Sequence, residues 1–334
     1  MTNFTGDKQN FYCSYSELAI VRETFRKAVR STMKKVNPYV LLVVATLIWG
    51  GNFVIGRAIT SSLPPVSLSF LRWCTAFLIF LPFVWPLLKK EWPIVKKKWH
   101  IVLLMAVTGV AGFNTLLYIA LHYTTSINAS LVNTSTPIII YMLSFFMLGE
   151  RLNRNQIIGT VLSLAGLLII ISQGSLNVLL KFSFNAGDLI VILAVICWSI
   201  YSLLVKQNAG KLPGYSTFSV SMVLGIFILL PFFIQEARTT EIVWSAGSIL
   251  TILYTGVFAS IVAFMSWNTA VERVGPNKAG IFLNLIPVFA AIFAVLFIDE
   301  KLAWYQALGG VFVIFGVYIS TRLTKIEQQR KKTA

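Results

Sequence analysis

Long apolar stretches alternate with short polar segments along most of the chain. A helix needs about 20 mostly apolar residues to cross the hydrocarbon core of a bilayer, and ten stretches approach or exceed that length. They lie at roughly 38–58, 66–88, 100–120, 127–148, 156–173, 187–206, 215–234, 247–268, 277–298 and 303–322. The pattern predicts an all-α polytopic membrane protein with ten transmembrane helices.

One phrase of the sequence occurs twice, 150 residues apart. Six positions of its first copy recur in the second, which runs from Pro287 to Gly316; they are Pro137, Glu150, Leu152, Gln156, Gly159 and Gly166. Matches at Pro, Glu, Gln and Gly carry weight because these residues are scarce in so apolar a chain. The repeat predicts two halves of five spans each. Since five is an odd number, the second half would be inverted in the membrane, as in many transporters.

Composition and charge agree with a membrane protein. The chain is 57% hydrophobic and 12% charged, against roughly 25% charged residues in soluble proteins, which excludes a soluble globular fold. The net charge of +16 does not indicate a nucleic-acid partner, because the basic residues lie between spans and in both tails. With the N-terminus inside, 23 of the 28 Lys and Arg residues fall in cytoplasmic segments. The positive-inside rule therefore predicts that both termini are cytoplasmic.

These boundaries divide the chain into four segments. They are a basic N-terminal extension (1–37), a first repeat (38–174), a second repeat (175–322) and a basic C-terminal tail (323–334). The extension spaces apolar residues helically among Arg and Lys, which suits either a surface helix on anionic lipid or a cytoplasmic tail. The three cysteines have neither a disulfide pattern nor metal-ligand spacing. We expect no metal and no cofactor.

The doubled pattern of Pro, Glu-Arg/Lys-Leu, Gln and two Gly, together with "LIWGGNFVIGRAI" and "LSFLRW" near the start, resembles the EamA-type branch of the drug/metabolite transporter superfamily. The resemblance covers about residues 38–322. It implies a basket of ten helices around a central cavity, located in a plasma membrane or bacterial inner membrane. It also implies transport of small metabolites, often amino acids, commonly outward.

Polar residues accompany a proline inside spans four and nine. We expect Pro137 and Pro287 to kink their helices, because proline removes a backbone donor. The candidate substrate-binding residues near these kinks are Asn133, Thr134, Thr136 and Asn284. They could line the cavity or form hydrogen bonds between helices. A kink and an amide at matching depth in both copies favour the cavity.

Aromatic and amide side chains mark corresponding positions of spans one and six. Trp49 and Asn52 belong to the segment "WGGNF". A loosely similar segment, "WSIYS", follows about 150 residues later and contains Trp198 and Tyr201. These side chains are candidates for the wall of a substrate site and suit a ligand with an apolar or aromatic portion. The glycines between them could equally be packing contacts.

Arg72 is a charge in a predicted span without an obvious acidic partner nearby in sequence. Because intramembrane charge is costly and usually functional, we expect Arg72 to bind a substrate carboxylate or phosphate, unless it reaches the outer headgroups. Glu150 and Glu300 each stand a few residues before a helix, where a carboxylate can cap amide groups, so we expect structural roles. No acidic residue is predicted near the centre of a span, which leaves any coupling ion open.

The sequence as a whole predicts a secondary transporter that exports small metabolites by alternating access of two inverted repeats. Its partners would be a small-molecule substrate and the lipid bilayer, and the oligomeric state stays open. A channel-like protein or a non-transporting receptor is the alternative. An intramembrane enzyme is disfavoured because the two histidines and the aspartates do not form a hydrolytic site.

Overall fold

The computed structural model describes residues 35–59, 62–120, 123–124, 129, 132–180, 185–297 and 303–333. Most of the predicted N-terminal extension, and Glu300, lie outside these residues.

We number the long helices α1 to α10 in chain order. They are α1 (Pro38–Ile59), α2 (Pro65–Lys97), α3 (Trp99–Ala120), α4 (Thr136–Leu148), α5 (Arg154–Ile171), α6 (Ala186–Gln207), α7 (Gly214–Thr239), α8 (Ala246–Val274), α9 (Pro276–Gly280, Ile281–Asn284 and Leu285–Phe297) and α10 (Trp304–Thr333). A short helix, Leu176–Leu180, precedes α6.

The described residues are helical and contain no β-strand. Eight candidate spans, in α2, α3 and α5 to α10, are long and apolar enough to cross a membrane. The apolar segments in α1 and α4, Pro38–Asn52 and Thr136–Leu148, are shorter. The prediction of an all-helical membrane protein is confirmed, whereas the arrangement of ten spans as an inverted repeat stays a prediction.

Glutamine caps a helix in both copies of the repeated phrase. At the start of α5 the Gln156 amide N–H donates to Asn153 Oδ1 (2.8 Å), and the Asn153 amide N–H donates to Gln156 Oε1 (2.9 Å). Before α10 the Ala303 amide N–H donates to Gln306 Oε1 (2.9 Å). These bonds satisfy amide groups that a helix start leaves without partners.

The glycines of the repeated phrase join α5 to α10. A Cβ atom added at Gly159 would lie 2.5 Å from the carbonyl oxygen of Gly316, and one added at Gly166 would lie 2.5 Å from that of Gly309. The earlier glycine of α5, Gly159, contacts the later glycine of α10, Gly316, and the later one, Gly166, contacts the earlier one, Gly309. The two helices therefore run antiparallel. Their backbones approach so closely that only glycine fits at these positions.

The most extensive of the other helix contacts form a reciprocal set. Helix α2 packs on α7, and α4 packs on α9. Helix α1 packs on α8 and α9, just as α6 packs on α3 and α4. Helix α3 contacts α7 as α2 contacts α8. Exchanging each helix with the helix five positions away therefore returns each of these contacts.

A carboxylate from each helix of the α2–α7 pair holds the first turn of its partner. Glu236 Oε2 on α7 accepts bonds from the amide N–H (2.6 Å) and the hydroxyl (2.7 Å) of Ser67 on α2. Glu91 Oε2 on α2 accepts a bond from the Ser216 hydroxyl on α7 (2.6 Å). Negative charge at a helix start is favourable, so both ends of the pair are stabilised.

Helices α3 and α8 each contain a π-helical segment, Ala106–Gly112 and Thr255–Val262. Each segment places a glycine against a neighbouring helix: Gly109 lies against the ring of Tyr201, and Gly256 lies against Thr75. Segments of this kind are rare and occur frequently at functional sites.

The two prolines lie close to the start of a helical segment in their spans. Helix α4 begins at Thr136 with Pro137 in its first turn. Pro287 is the third residue of the helical segment that follows a 3-10 turn, Ile281–Asn284. A proline in a first turn sacrifices no helical hydrogen bond, because its missing N–H would have had no partner there. Pro137 therefore stands at a helix start and Pro287 follows a 3-10 turn within α9, and the predicted kinks stay a prediction.

Candidate functional site

Aromatic side chains pack together where α1, α6 and α8 meet. The Trp49 ring centroid lies 5.2 Å from that of Trp198, 5.8 Å from that of Phe264 and 5.6 Å from that of Trp267. Tyr201 stands 5.6 Å from Trp198 and 5.9 Å from Phe264. We call these five side chains the aromatic cluster.

The aromatic cluster contains three residues that the sequence singled out, namely Trp49, Trp198 and Tyr201. All three are buried. Trp49 and Trp198 hold corresponding positions of the two halves and meet edge to face, a favourable arrangement of aromatic rings. The rings fill the space between their helices, so they form a packed barrier here and not the wall of an open cavity.

The π-helical segment of α8 joins the aromatic cluster to Arg72. Trp49 Nε1 donates a hydrogen bond to the carbonyl oxygen of Ala259 (3.1 Å). The next residue, Ser260, accepts a hydrogen bond at Oγ from Arg72 Nε (2.9 Å). Two consecutive residues of one segment therefore hold a tryptophan of α1 and the arginine of α2.

Arg72 is a buried cation. Its side chain is 1% exposed, so it does not reach toward the headgroups, and that alternative is wrong for this structure. The guanidinium also forms a hydrogen bond with Tyr118. The Cζ atom of Arg72 lies 5.2 Å from the ring centroid of Trp73. Among the described residues no carboxylate pairs with it. Such a group is costly to bury unless something else compensates its charge.

Several polar atoms around Arg72 and the aromatic cluster are buried without a hydrogen-bond partner among the described residues. Three of them are donors, Arg72 Nη1, Trp73 Nε1 and Trp198 Nε1. One is an acceptor, Asn52 Oδ1. Native proteins rarely leave such atoms unpaired, because each buried atom without a partner costs about 1–3 kcal/mol of stability. This group of atoms therefore indicates a ligand or water site.

Helix α8 carries a stripe of side chains for which the sequence reasoning predicted no part in substrate binding. Ser260, Phe264, Asn268 and Glu272 follow one another at intervals of four residues. Asn268 bonds to the Tyr201 hydroxyl, with Nδ2 to Oη at 2.8 Å. The spacing of four was a signal that could have identified them, because it places residues on one face of a helix.

The polar residues near the prolines mainly satisfy backbone and interhelical hydrogen bonds. The Thr136 hydroxyl donates to the carbonyl oxygen of Asn133 (2.5 Å), the group that the missing proline N–H leaves free. Asn284 Nδ2 donates to Ser163 Oγ (2.8 Å), which joins α9 to α5. Thr134 is partly buried in the turn before α4. The Asn284 contact matches the helix-joining alternative, the Thr136 contact stays within its own segment, and a cavity lining stays a prediction for both.

Glu150 contacts the start of α9 instead of capping α5. Its Oε2 accepts bonds from Asn277 Nδ2 (2.9 Å) and from the Ser144 hydroxyl (3.2 Å). The capping role that we expected for Glu150 belongs to Asn153 and Gln156, because residue 153 immediately precedes α5 and residue 150 lies too far upstream.

In the described part of the chain, no group of three His, Cys, Asp or Glu side chains could hold a metal ion.

The sequence profile of the EamA-like transporter family matches this chain twice, over residues 37–172 and 185–322. An uncharacterized transporter named YyaM from Bacillus subtilis is 26% identical over 309 residues, which cover 90% of this chain and 98% of that protein. A probable amino-acid metabolite efflux pump from Escherichia coli is 26% identical over 290 residues, which cover 84% of this chain and 93% of the pump.

A solved crystal structure shares the fold. The two structures superpose with a TM-score of 0.72 at 19% sequence identity, over 86% of this chain and 97% of the other. The helical arrangement described above is therefore also found in a structure determined by experiment.

Proposed function

Because the chain belongs to the EamA-like transporter family, we propose that it exports small metabolites that carry a carboxylate and an apolar group, such as aromatic or branched amino acids. The observation that carries this proposal is the buried guanidinium of Arg72 beside the aromatic cluster, which has no carboxylate partner among the described residues. The name of the Escherichia coli relative, a probable amino-acid metabolite efflux pump, supports both the substrate class and the outward direction.

The unpartnered atoms of the site match the groups of an amino acid. A carboxylate is an acceptor, and the free donors Arg72 Nη1, Trp73 Nε1 and Trp198 Nε1 would bind it by charge-assisted and ordinary hydrogen bonds. An ammonium group is a donor, and Asn52 Oδ1 would accept from it. The rings of the aromatic cluster would contact an apolar side chain once they part to admit it.

The proposed mechanism is alternating access of two inverted five-helix repeats, residues 38–174 and 175–322. The reciprocal set of helix contacts supports this arrangement. The glycine pairs support it as well, since adding 150 to Gly159 and subtracting 150 from Gly316 converts that pair into Gly309 and Gly166. Rocking of one repeat against the other would expose Arg72 and the aromatic cluster to each side of the membrane in turn.

We propose that both termini lie in the cytoplasm of a plasma membrane or bacterial inner membrane. The distribution of Lys and Arg supports this orientation. Alkaline phosphatase fused after residue 333 is expected to be inactive in cells, and the same enzyme inserted after residue 241, between α7 and α8, is expected to be active. An active fusion after residue 333 and an inactive one after residue 241 would show the opposite orientation and contradict this proposal.

The substrate proposal is tested by uptake of labelled amino acids into proteoliposomes, beginning with L-phenylalanine and L-leucine. We expect saturable uptake that Arg72→Gln lowers at least tenfold and that Arg72→Lys partly restores, because lysine keeps the charge but not the planar fork of donors. Arg238→Gln is the matched control, since Arg238 is an exposed residue near the end of α7.

A folded Arg72→Gln protein that transports as fast as the wild type would contradict the proposal. If Arg238→Gln lowered uptake as much as Arg72→Gln does, the effect would come from loss of positive charge in general and not from the Arg72 site. The melting temperature of each variant establishes that it is folded.

A further inference from the structure

A small cavity of about 30 Å³ lies at the end of the bundle where α6 and α8 end and α7 begins. Its lining includes Phe218 and four polar residues, Asn208, Thr217, Asn268 and Glu272. We call this cavity the vestibule. This volume is enough for one or two groups of the size of water, such as an ammonium group, so the rest of a ligand would lie outside it.

The vestibule is separate from the Arg72 site. Ser260, which binds Arg72, and Glu272 stand twelve residues apart on α8, or about 18 Å at the helical rise of 1.5 Å per residue. The aromatic cluster lies between them on the same helix, at Phe264 and Trp267. One amino acid cannot contact both ends at once, so they are two successive positions along a path.

Glu272 makes the vestibule suited to a cation. A Cβ atom added at Gly214 would lie 3.2 Å from Glu272 Oε1, so the carboxylate stands at the first residue of α7. Lys206 donates a bond to the backbone carbonyl of Glu272 (3.0 Å). Within the lining, Glu272 is the one charged residue.

A second observation points to a ligand in the vestibule. The Thr217 side chain is 3% exposed, and its hydroxyl has no hydrogen-bond partner among the described residues. Asn208 uses Nδ2 to donate to the Leu204 carbonyl oxygen (3.0 Å), so its Oδ1 can act as an acceptor. A carboxylate, a hydroxyl and an amide oxygen match the three donors of a primary ammonium group, and the Phe218 ring adds a surface that attracts cations.

We propose that the vestibule is a second substrate position, which binds the ammonium group of an amino acid through Glu272, Thr217 and Asn208. This inference rests on the proposed function, because it concerns the same substrate. It divides recognition between two places: the vestibule selects the ammonium group, and the Arg72 site selects the carboxylate. A solute with both groups is recognised at each position in turn.

Three related probes separate the two recognition steps. They are L-phenylalanine, 2-phenylethylamine, which lacks the carboxylate, and 3-phenylpropanoate, which lacks the ammonium group. Binding of each is measured by isothermal titration calorimetry on the full-length protein in detergent. We expect Glu272→Gln to weaken binding of 2-phenylethylamine at least tenfold and to leave 3-phenylpropanoate unchanged.

The control is Glu241→Gln, which removes an exposed carboxylate between α7 and α8 and should change neither affinity. If Glu272→Gln fails to fold, Thr217→Val carries the same test, with a severalfold loss for the amine alone. The vestibule proposal is overturned if the wild type does not bind the amine, or if the Glu272 or Thr217 variant changes amine and acid binding equally. The last result would indicate that Glu272 only stabilises the start of α7.

The two proposals fail in different ways. If Arg72→Gln leaves 3-phenylpropanoate binding unchanged while Glu272→Gln weakens the amine, the Arg72 assignment is wrong and the vestibule stands. If Arg72→Gln weakens the acid while Glu272→Gln has no effect on the amine, the vestibule assignment is wrong and the Arg72 site stands.

Discussion

Gly166→Ala should separate α5 from α10 and destabilise the protein. The added Cβ atom would lie 2.5 Å from the carbonyl oxygen of Gly309 and 2.6 Å from Phe312 Cβ, about 0.9 Å short of the 3.4 Å at which contact becomes ordinary. The obstructing oxygen belongs to the backbone, so no side-chain rotation relieves the clash and the helices themselves must move.

The expected size follows from two opposing effects. Overpacking of a well-packed interior costs about 1–3 kcal/mol, and a backbone clash belongs in the upper half of that range. Alanine regains up to about 1 kcal/mol of helix propensity over glycine. The net loss is therefore about 1–2 kcal/mol, which corresponds to a melting temperature lower by roughly 2–8 °C.

The assay is thermal unfolding in detergent, followed by tryptophan fluorescence, with Gly310→Ala as the matched control. A Cβ atom at Gly310 would meet Val288 Cγ1 at 3.6 Å, an ordinary contact, so this variant should be as stable as the wild type or slightly more stable. Equal melting temperatures for the two variants would refute the glycine contact between α5 and α10.

Three further substitutions test other contacts, again by melting temperature. Glu236→Ala removes the acceptor of the amide and hydroxyl bonds of Ser67 and should cost about 1–3 kcal/mol; an unchanged melting temperature would show that the start of α2 does not need this carboxylate. Asn284→Leu leaves the Ser163 hydroxyl without its α9 partner and should cost about 0.6–1.7 kcal/mol, the range for hydrogen bonds between membrane helices, whereas Asn284→Ser should cost less if its hydroxyl reaches Ser163. Asn153→Ala breaks the capping box of α5 and should cost about 1 kcal/mol, which Asn153→Asp should largely restore; equal losses in both variants would contradict a capping role.

The sequence predicted the features that depend on local pattern. Long apolar stretches identify membrane helices regardless of how the helices pack, and the scarce glycines of the repeated phrase identified the repeat. The structure adds that two of these glycines, Gly159 and Gly316, lie against each other. Trp49 and Trp198, which the sequence singled out at corresponding positions, lie with their ring centroids 5.2 Å apart; their role in substrate binding stays a prediction.

Features that depend on distant partners could not be read from the sequence. The π-helical segment Thr255–Val262 has no local signature, yet it determines which α8 atoms reach Trp49 and Arg72. The unpartnered donors around Arg72 exist only because several helices bury them together. Glu150 was given a capping role from its position alone, whereas its partner Asn277 lies 127 residues away.

The central claim is that this protein is a carrier with a carboxylate-binding site at Arg72. Counterflow tests it most directly: proteoliposomes loaded with unlabelled L-phenylalanine, and with L-leucine in a parallel set, are diluted into the same amino acid in labelled form. We predict a transient, saturable accumulation of label above equilibrium for at least one of the two, which 3-phenylpropanoate suppresses and Arg72→Gln abolishes. Simple equilibration without overshoot would indicate a channel, and an undiminished overshoot in Arg72→Gln would contradict the assigned site.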